Sequence, residues 1–74
     1  MPRAQVAKIA DSADLIVGGY AMTKHELGIR IVNLNSGNAL IVSKDNQVLE
    51  TSMEDLEVAV ALDYLKINRS FLEA

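Results

Sequence analysis

Side chains that can take part in acid–base chemistry or ligand binding are close together in the sequence around residue 25. Lys24, His25 and Glu26 follow one another there, shortly after Tyr20. His25 is the only histidine of the chain, and an imidazole that titrates near neutrality can act as a general base. This group could form a small-ligand-binding or catalytic site in the connection between two strands. A lone histidine in a charged loop is usually an ordinary solvated residue, so we assign no catalytic residue and keep ligand binding as the alternative interpretation.

The glycine pair Gly18–Gly19 directly precedes Tyr20 and invites comparison with phosphate-binding loops. It lacks the glycine spacing of those loops and is not placed to open a helix. We interpret it as a bulge or a close backbone approach within one strand. The serines have no nucleophile motif around them, and with one histidine a Ser-His-Asp triad has little support.

Metal binding has no clear ligand set in this sequence. The chain contains no cysteine, which excludes disulfides and thiolate zinc sites. The acidic residues Glu50, Glu54, Asp55 and Glu57 lack the alternating ligands and the glycine of a calcium-binding loop. Helix capping and a solvated face explain them, although an acidic docking patch for a basic partner stays open. We expect no metal and no cofactor.

The charges are distributed unevenly along the chain. Residues 1–44 contain five basic and three acidic side chains, whereas residues 45–74 contain two basic and seven acidic ones, for a net charge of −3. Nucleic-acid binding needs a cluster of basic residues, and here they are scattered, so no nucleic-acid function is expected. No apolar run approaches the ~20 residues of a membrane span, and the start does not match a signal peptide. The sequence indicates a cytoplasmic protein.

Length and composition indicate a single domain over residues 1–74, half of whose residues are hydrophobic. A chain this short buries only about 60–65% of the surface that its unfolded form exposes. A hydrophobic content of 50% is high for so much surface, and small domains often gain stability by oligomerisation. The apolar excess therefore favours a homodimer or a complex with another protein.

The order of the elements predicts an α+β fold. Helical spacing over Arg3–Ala13 indicates a short N-terminal helix. Gly37 and the pair Asp45-Asn46 supply residues that tolerate the left-handed conformation of turns. The strand connections are too short for parallel neighbours, which predicts a four-stranded antiparallel meander whose two faces are both partly apolar. The four strands are expected at residues 15–22, 28–35, 39–43 and 47–51.

The segment Thr51–Phe71 predicts a long C-terminal helix that packs on the sheet. Thr51-Ser52-Met53-Glu54 matches a capping box, in which the threonine accepts from the backbone N–H of Glu54. At about 100° per residue, the helix carries two separate apolar stripes. The first stripe, which we expect to cover the sheet, comprises Met53, Leu56, Val60, Tyr64, Ile67 and Phe71.

The second stripe of this helix needs a partner of its own. It could pack on the N-terminal helix or on another copy of the chain. A short helix covers only part of a stripe of six turns, so its far end remains available. We expect Val58, Leu62, Leu65 and Leu72 to be interface residues.

Three segments of the sequence resemble small bacterial proteins that are classed as uncharacterised. They are VAKIA at 6–10, IVGGYAMTK at 16–24 and LETSMEDLE at 49–57. The resemblance extends over most of the chain. It implies a bacterial, cytoplasmic origin, and it implies no mechanism and no functional residue.

Two hypotheses about function follow from these patterns. The first is a non-enzymatic interaction module that self-associates or docks on a partner through the second stripe of the C-terminal helix. The second is a small-ligand-binding or catalytic domain that uses Tyr20, Lys24, His25 and Glu26. We favour the first, because no constellation of residues would carry a reaction.

Overall fold

The computed structural model describes residues 12–73, which form a five-stranded antiparallel sheet and one helix. The short helix expected over Arg3–Ala13 lies almost entirely outside the described residues. The strands follow one another in the sheet in chain order. The elements are β1 (Leu15–Val17), β2 (Tyr20–His25), β3 (Gly28–Asn33), β4 (Ala39–Ser43), β5 (Val48–Thr51) and α1 (Asp55–Glu73).

The α+β fold and the antiparallel meander are confirmed, but the sheet has five strands rather than four. The expected first strand is a hairpin, in which Val17 pairs with Tyr20. Gly18 and Gly19 form its two-residue turn with φ of 57° and 81°. Positive φ at both central residues matches the twist of the flanking strands, and glycine adopts it without steric cost. The interpretation of this pair as a bulge within one strand was therefore wrong.

The remaining turns follow their predicted chemistry with one adjustment. Gly37 has φ of 78°, as expected, and in the turn after β4 only Asn46 is left-handed, with φ of 66°. The strand β3 ends at Asn33, two residues earlier than expected. The Asn33 side chain explains this end, because its Oδ1 accepts from the backbone N–H of Asn35 at 2.9 Å and thereby starts a turn.

The core lies between one face of the sheet and α1. The central register aligns Met22 with Ile31 and Ile31 with Leu40, and all three side chains are fully buried. Side chains alternate between faces along a strand, so residues two positions away continue the same face. The buried cluster consists of Tyr20, Met22, Ile29, Ile31, Leu40, Val42, Met53, Ala61, Leu65 and Leu72.

The opposite face of the sheet is also apolar at its centre. Ala21 pairs with Val32, and both are completely buried although they alternate with residues of the core cluster. This agrees with the expectation that both faces of the sheet are partly apolar. The sheet therefore contributes buried surface on both sides.

The helix begins later than predicted. Its first residue is Asp55, and the backbone N–H of Val58 donates to the carbonyl of Glu54 at 2.9 Å. Thr51 instead ends β5, where its Oγ1 accepts from the N–H of Met53 at 2.9 Å and donates to the carbonyl of Ala39 at 3.1 Å. The expected capping box is wrong, because pairing with β4 holds Thr51 in the sheet.

The stripe of α1 whose side chains are most deeply buried on the sheet is the second one, whereas of the expected first stripe only Met53 belongs to the core and Val60 and Tyr64 pack partly against it. Leu65 and Leu72 are each 1% exposed and belong to the core cluster. In contrast, Leu56 is 76%, Ile67 75% and Phe71 65% exposed. Both stripes are apolar, so periodicity alone could not decide between them.

Polar contacts on either side of the buried stripe set the rotation of α1. Glu57 is hydrogen-bonded to the turn between β3 and β4, and Arg69 to Ser43 and Asn46 in the turn after β4. On the helix wheel, at about 100° per residue, these two residues flank Leu65 and Leu72 at nearly equal angles. The helix can satisfy both contacts only with the second stripe on the sheet.

Alanine substitutions at the two hairpin glycines should have unequal effects. Positive φ costs an alanine about 1–2 kcal/mol at either position. A Cβ at Gly18 would also lie 2.5 Å from the ring of Tyr64, whereas a Cβ at Gly19 meets no atom within 4 Å. We expect Gly18→Ala to lose about a further 0.5–1.5 kcal/mol, because the Tyr64 ring must leave its packing on Tyr20.

Urea unfolding of the two variants and the parent chain measures this difference. Gly19→Ala is the matched control, since it shares the strain without the contact. Equal losses of unfolding free energy in the two variants would contradict the role of the Tyr64 contact.

Candidate functional site

The most exposed apolar surface among the described residues is a line along α1, which we call the exposed stripe. It consists of Leu56, Ile67 and Phe71, with the partly buried Val60 between them. At about 1.5 Å per residue the line runs for about 22 Å, within a sector of about 60°. An apolar line of this length on a helix is typical of a surface that packs against another helix.

The charges beside the exposed stripe change sign along α1. Asp55 and Glu57 lie in the first turn and Lys66 lies in the second half, whereas Arg69 is turned toward Ser43 and Asn46 of the sheet. Asp63, close to the middle, is exposed beside the stripe. Asp63 of one copy and Lys66 of another are thus complementary when two such helices run in opposite directions.

Glu57 forms a polar clamp between α1 and the turn that joins β3 to β4. Its carboxylate accepts hydrogen bonds from Nδ2 of Asn38 at 3.1 Å, from Oγ of Ser36 at 3.1 Å and from Nδ2 of Asn33 at 3.0 Å. The bond from Asn38, together with those from Ser36 and Asn33, holds the pKa of the Glu57 carboxyl below its ordinary value, since donors favour the ionised form. The acidic residues at the helix start therefore include a structural anchor, Glu57, as well as a solvated face.

A cleft of about 610 Å³ lies at the end of the sheet, where two turns approach the last turns of α1. Lys24 and His25 from the end of β2 line it, together with Lys44 from the turn after β4 and Arg69 from α1. Its other described lining residues are Gly28, Ile29 and Leu72. None of the described residues that line the cleft is acidic.

The structure brings together only part of the expected ligand site. Lys24 and His25 both line the cleft, whereas Tyr20 and Glu26 do not. Tyr20 is buried in the core, where its ring lies 5.7 Å from that of Tyr64. The sequence interpretation missed Lys44 and Arg69, because nothing local links residues so distant in the chain.

The four expected interface residues lie on the side of α1 that faces the sheet. Leu65 and Leu72 are buried within the chain itself, and Val58 and Leu62 are partly buried against the core cluster. The side chains of α1 that remain open to contact are those of the exposed stripe. The candidate surface therefore moves to the other side of the same helix.

The described residues support neither a metal site nor a membrane-spanning helix. Within residues 12–73, no three His, Asp or Glu side chains lie together in a way that could hold a metal ion. In the same part of the chain, no helix is both long and apolar enough to cross a bilayer.

The fold and its surfaces define a small α+β domain in which one helix covers one face of an antiparallel meander. The chain belongs to a family of unknown function, DUF7723, whose model matches residues 3–72. No curated protein and no solved structure matches it. The family assignment agrees with the expected resemblance to uncharacterised proteins and assigns no activity.

The Glu57 clamp should make stability depend on pH. Because the pKa of Glu57 is lower in the folded chain, its contribution is complete above the ordinary value of 4.5 and is lost as the pH falls through the folded value. We expect Glu57→Gln to lower the melting temperature at pH 7, and this difference from the parent chain should shrink near pH 3.

Thermal unfolding at the two pH values measures the effect. Glu50→Gln is the control, since it removes the same charge from an exposed position in β5. A difference between Glu57→Gln and the parent chain that stayed constant from pH 7 to pH 3 would contradict the clamp.

Proposed function

We propose that the protein is a non-enzymatic interaction module that forms a homodimer through the exposed stripe of α1. The observation that carries this proposal is the exposure of Leu56, Ile67 and Phe71 along a single line of the helix. Exposed apolar side chains in a contiguous line are a common mark of a protein interface. The proposed interface lies on the helix that the sequence analysis expected, but on the opposite side of that helix.

The edges of the sheet are less suitable for self-association. β1 has three residues and β5 has four, and the pairing of β5 with β4 is irregular between Ile41 and Val42. Glu50 adds a charge on β5. Short edge strands, bulges and charges protect a sheet from pairing with another chain, which leaves the helix as the better surface.

The exposed stripe supports an antiparallel pair of helices. It is symmetric about the point between residues 63 and 64, so a two-fold axis there would place Leu56 opposite Phe71 of the second copy. The same axis would place Val60 opposite Ile67 of that copy. Each apolar side chain of the stripe would then meet an apolar side chain of the other copy, which gives the self-complementary contact of an isologous interface.

Charge complementarity also favours the antiparallel direction. In that arrangement Lys66 of each copy would approach Asp63 of the other, which offsets the repulsion between the two copies of Asp63 beside the axis. A parallel pair would instead bring the two acidic ends together, which is repulsive. The opposed helix dipoles add to the same preference.

The size of the apolar contact predicts moderate affinity. Full burial of three large side chains on each of two copies contributes about 9–18 kcal/mol. Lost translational and rotational freedom offsets about 4–15 kcal/mol of this gain. A micromolar dissociation constant corresponds to about 8 kcal/mol, which lies within the range that these two contributions leave. The absence of cysteine suits the reducing cytoplasm in which we place this dimer.

A charge introduced into the exposed stripe should dissociate the dimer. We expect light scattering to give a dimer mass for the parent chain at high concentration and a monomer mass for Ile67→Glu throughout the dilution series. Leu49→Glu is the matched control, because Leu49 is exposed on the edge strand β5. Dissociation by Leu49→Glu but not by Ile67→Glu would assign the interface to the sheet edge, and a monomeric parent chain would refute the dimer.

Single cysteines should reveal the direction of the helices, since the chain has none of its own. In the antiparallel pair, the two copies of residue 63 lie about 1.5 Å apart along the helix axis, whereas the copies of residue 70 lie about 20 Å apart. We expect Asp63→Cys to form a disulfide-linked dimer under mild oxidation and Ser70→Cys to stay unlinked. Equal linking of both variants on a non-reducing gel would indicate a parallel pair instead.

A further inference from the structure

The cleft at the end of the sheet concentrates positive charge in an acidic protein. The chain has a net charge of −3 and seven basic residues, yet three of them, Lys24, Lys44 and Arg69, line this one cleft. Like charges that share a concave surface repel one another and raise the local positive potential. A bound anion would relieve that repulsion, so the arrangement favours an anionic ligand.

Contacts within the fold place the backbone of Lys24 and the guanidinium of Arg69. Lys24 belongs to β2 and pairs with Ile29 of β3. Nη2 of Arg69 donates to Oδ1 of Asn46 at 2.6 Å and to the carbonyl of Ser43 at 3.5 Å, which holds the guanidinium at the rim of the turn. Positions fixed before binding reduce the entropy that a ligand must overcome.

A glycine is required in the wall of this cleft. Gly28 has φ of 152°, and a Cβ there would collide with the backbone carbonyl of Val42. Gly28 pairs with His25 of β2 and with Ser43 of β4, so this close approach lies beside His25 and Lys44. The backbone therefore contributes to the shape of the cleft independently of its charges.

The remaining lining residues complete a site for an organic anion. Nδ1 of His25 accepts from the backbone N–H of Leu27 at 3.1 Å, so the neutral imidazole carries its proton on Nε2 and can donate from there. Ile29 and Leu72 add an apolar wall next to these donors. A few polar groups on a partly apolar surface are typical of small-molecule sites, and about 610 Å³ lies within their usual range of volumes.

We propose that this cleft binds a small phosphate monoester, with the phosphate held by Lys24, Lys44 and Arg69. Guanidinium and ammonium groups form charge-assisted hydrogen bonds with phosphate oxygens. A doubly charged anion can bind several cations at once and neutralise their charge. The organic part of the ligand would lie against Ile29 and Leu72. This site goes beyond self-association, because its lining residues do not include the exposed stripe of α1.

Phenyl phosphate, inorganic phosphate and phenol are suitable probes of the full chain. We expect saturable changes in amide chemical shifts around Lys24, His25 and Lys44 with phenyl phosphate. Inorganic phosphate should bind several-fold more weakly because it lacks the apolar contact, and phenol should not bind because it lacks the charge. All titrations should be made at the same low ionic strength, because salt screens the attraction between the anion and the cations of the cleft.

Charge-removing variants locate the binding site. We expect Lys44→Gln to weaken phenyl phosphate binding by about tenfold, whereas Lys66→Gln, which removes the same charge from an exposed position of α1 outside the cleft, should leave it unchanged. Both positions are exposed, and unchanged amide spectra without ligand would confirm that the variants are folded. Equal weakening by the two variants, or no saturation with phenyl phosphate, would overturn the proposal.

Discussion

The rotation of α1 about its own axis is the constraint on which the other features of the domain depend. The helix has two apolar stripes, and burial of either one would remove a comparable apolar surface from water. Glu57 on one side and Arg69 on the other bind turns at different places on the sheet. Because these polar contacts bracket Leu65 and Leu72, they select which stripe becomes the core and which stays at the surface.

The same two contacts determine both proposed surfaces. Glu57 keeps the first turn of α1 on the turn between β3 and β4, so that Leu56 and Phe71 point away from the sheet. Arg69 joins the other end of the helix to the turn after β4 and also lines the cleft. One arrangement of the helix thus produces an apolar surface for a protein partner and a basic cleft for an anion, on different sides of the molecule.

Local patterns predicted the parts of the fold that local chemistry determines. Short connections predicted the antiparallel meander, and Gly37 was correctly placed in a left-handed turn. Gly18–Gly19 was misjudged because the apolar residues before and after it read as one continuous strand. A glycine pair between β-branched and aromatic residues is itself a hairpin signal, so this strand could have been divided from the sequence.

Long-range contacts account for what the sequence could not predict. Glu57 meets side chains 19 to 24 positions earlier in the chain, and Arg69 meets Asn46 across 23 positions. Contacts between residues so far apart in the chain produce no periodic pattern in the sequence from which they could be predicted. The cleft has the same origin, because Lys24, Lys44 and Arg69 become neighbours only once two turns and a helix have met at one end of the sheet.

The meander order of the sheet also has a consequence for how the chain folds. Each strand pairs with the strand before it, so every hairpin can close over a short loop with a small loss of chain entropy. Topologies with such local contacts fold rapidly. The docking of α1 on the sheet spans the longest stretches of chain, and during synthesis this helix emerges after the five strands. The sheet can therefore be assembled before the helix that covers it is complete.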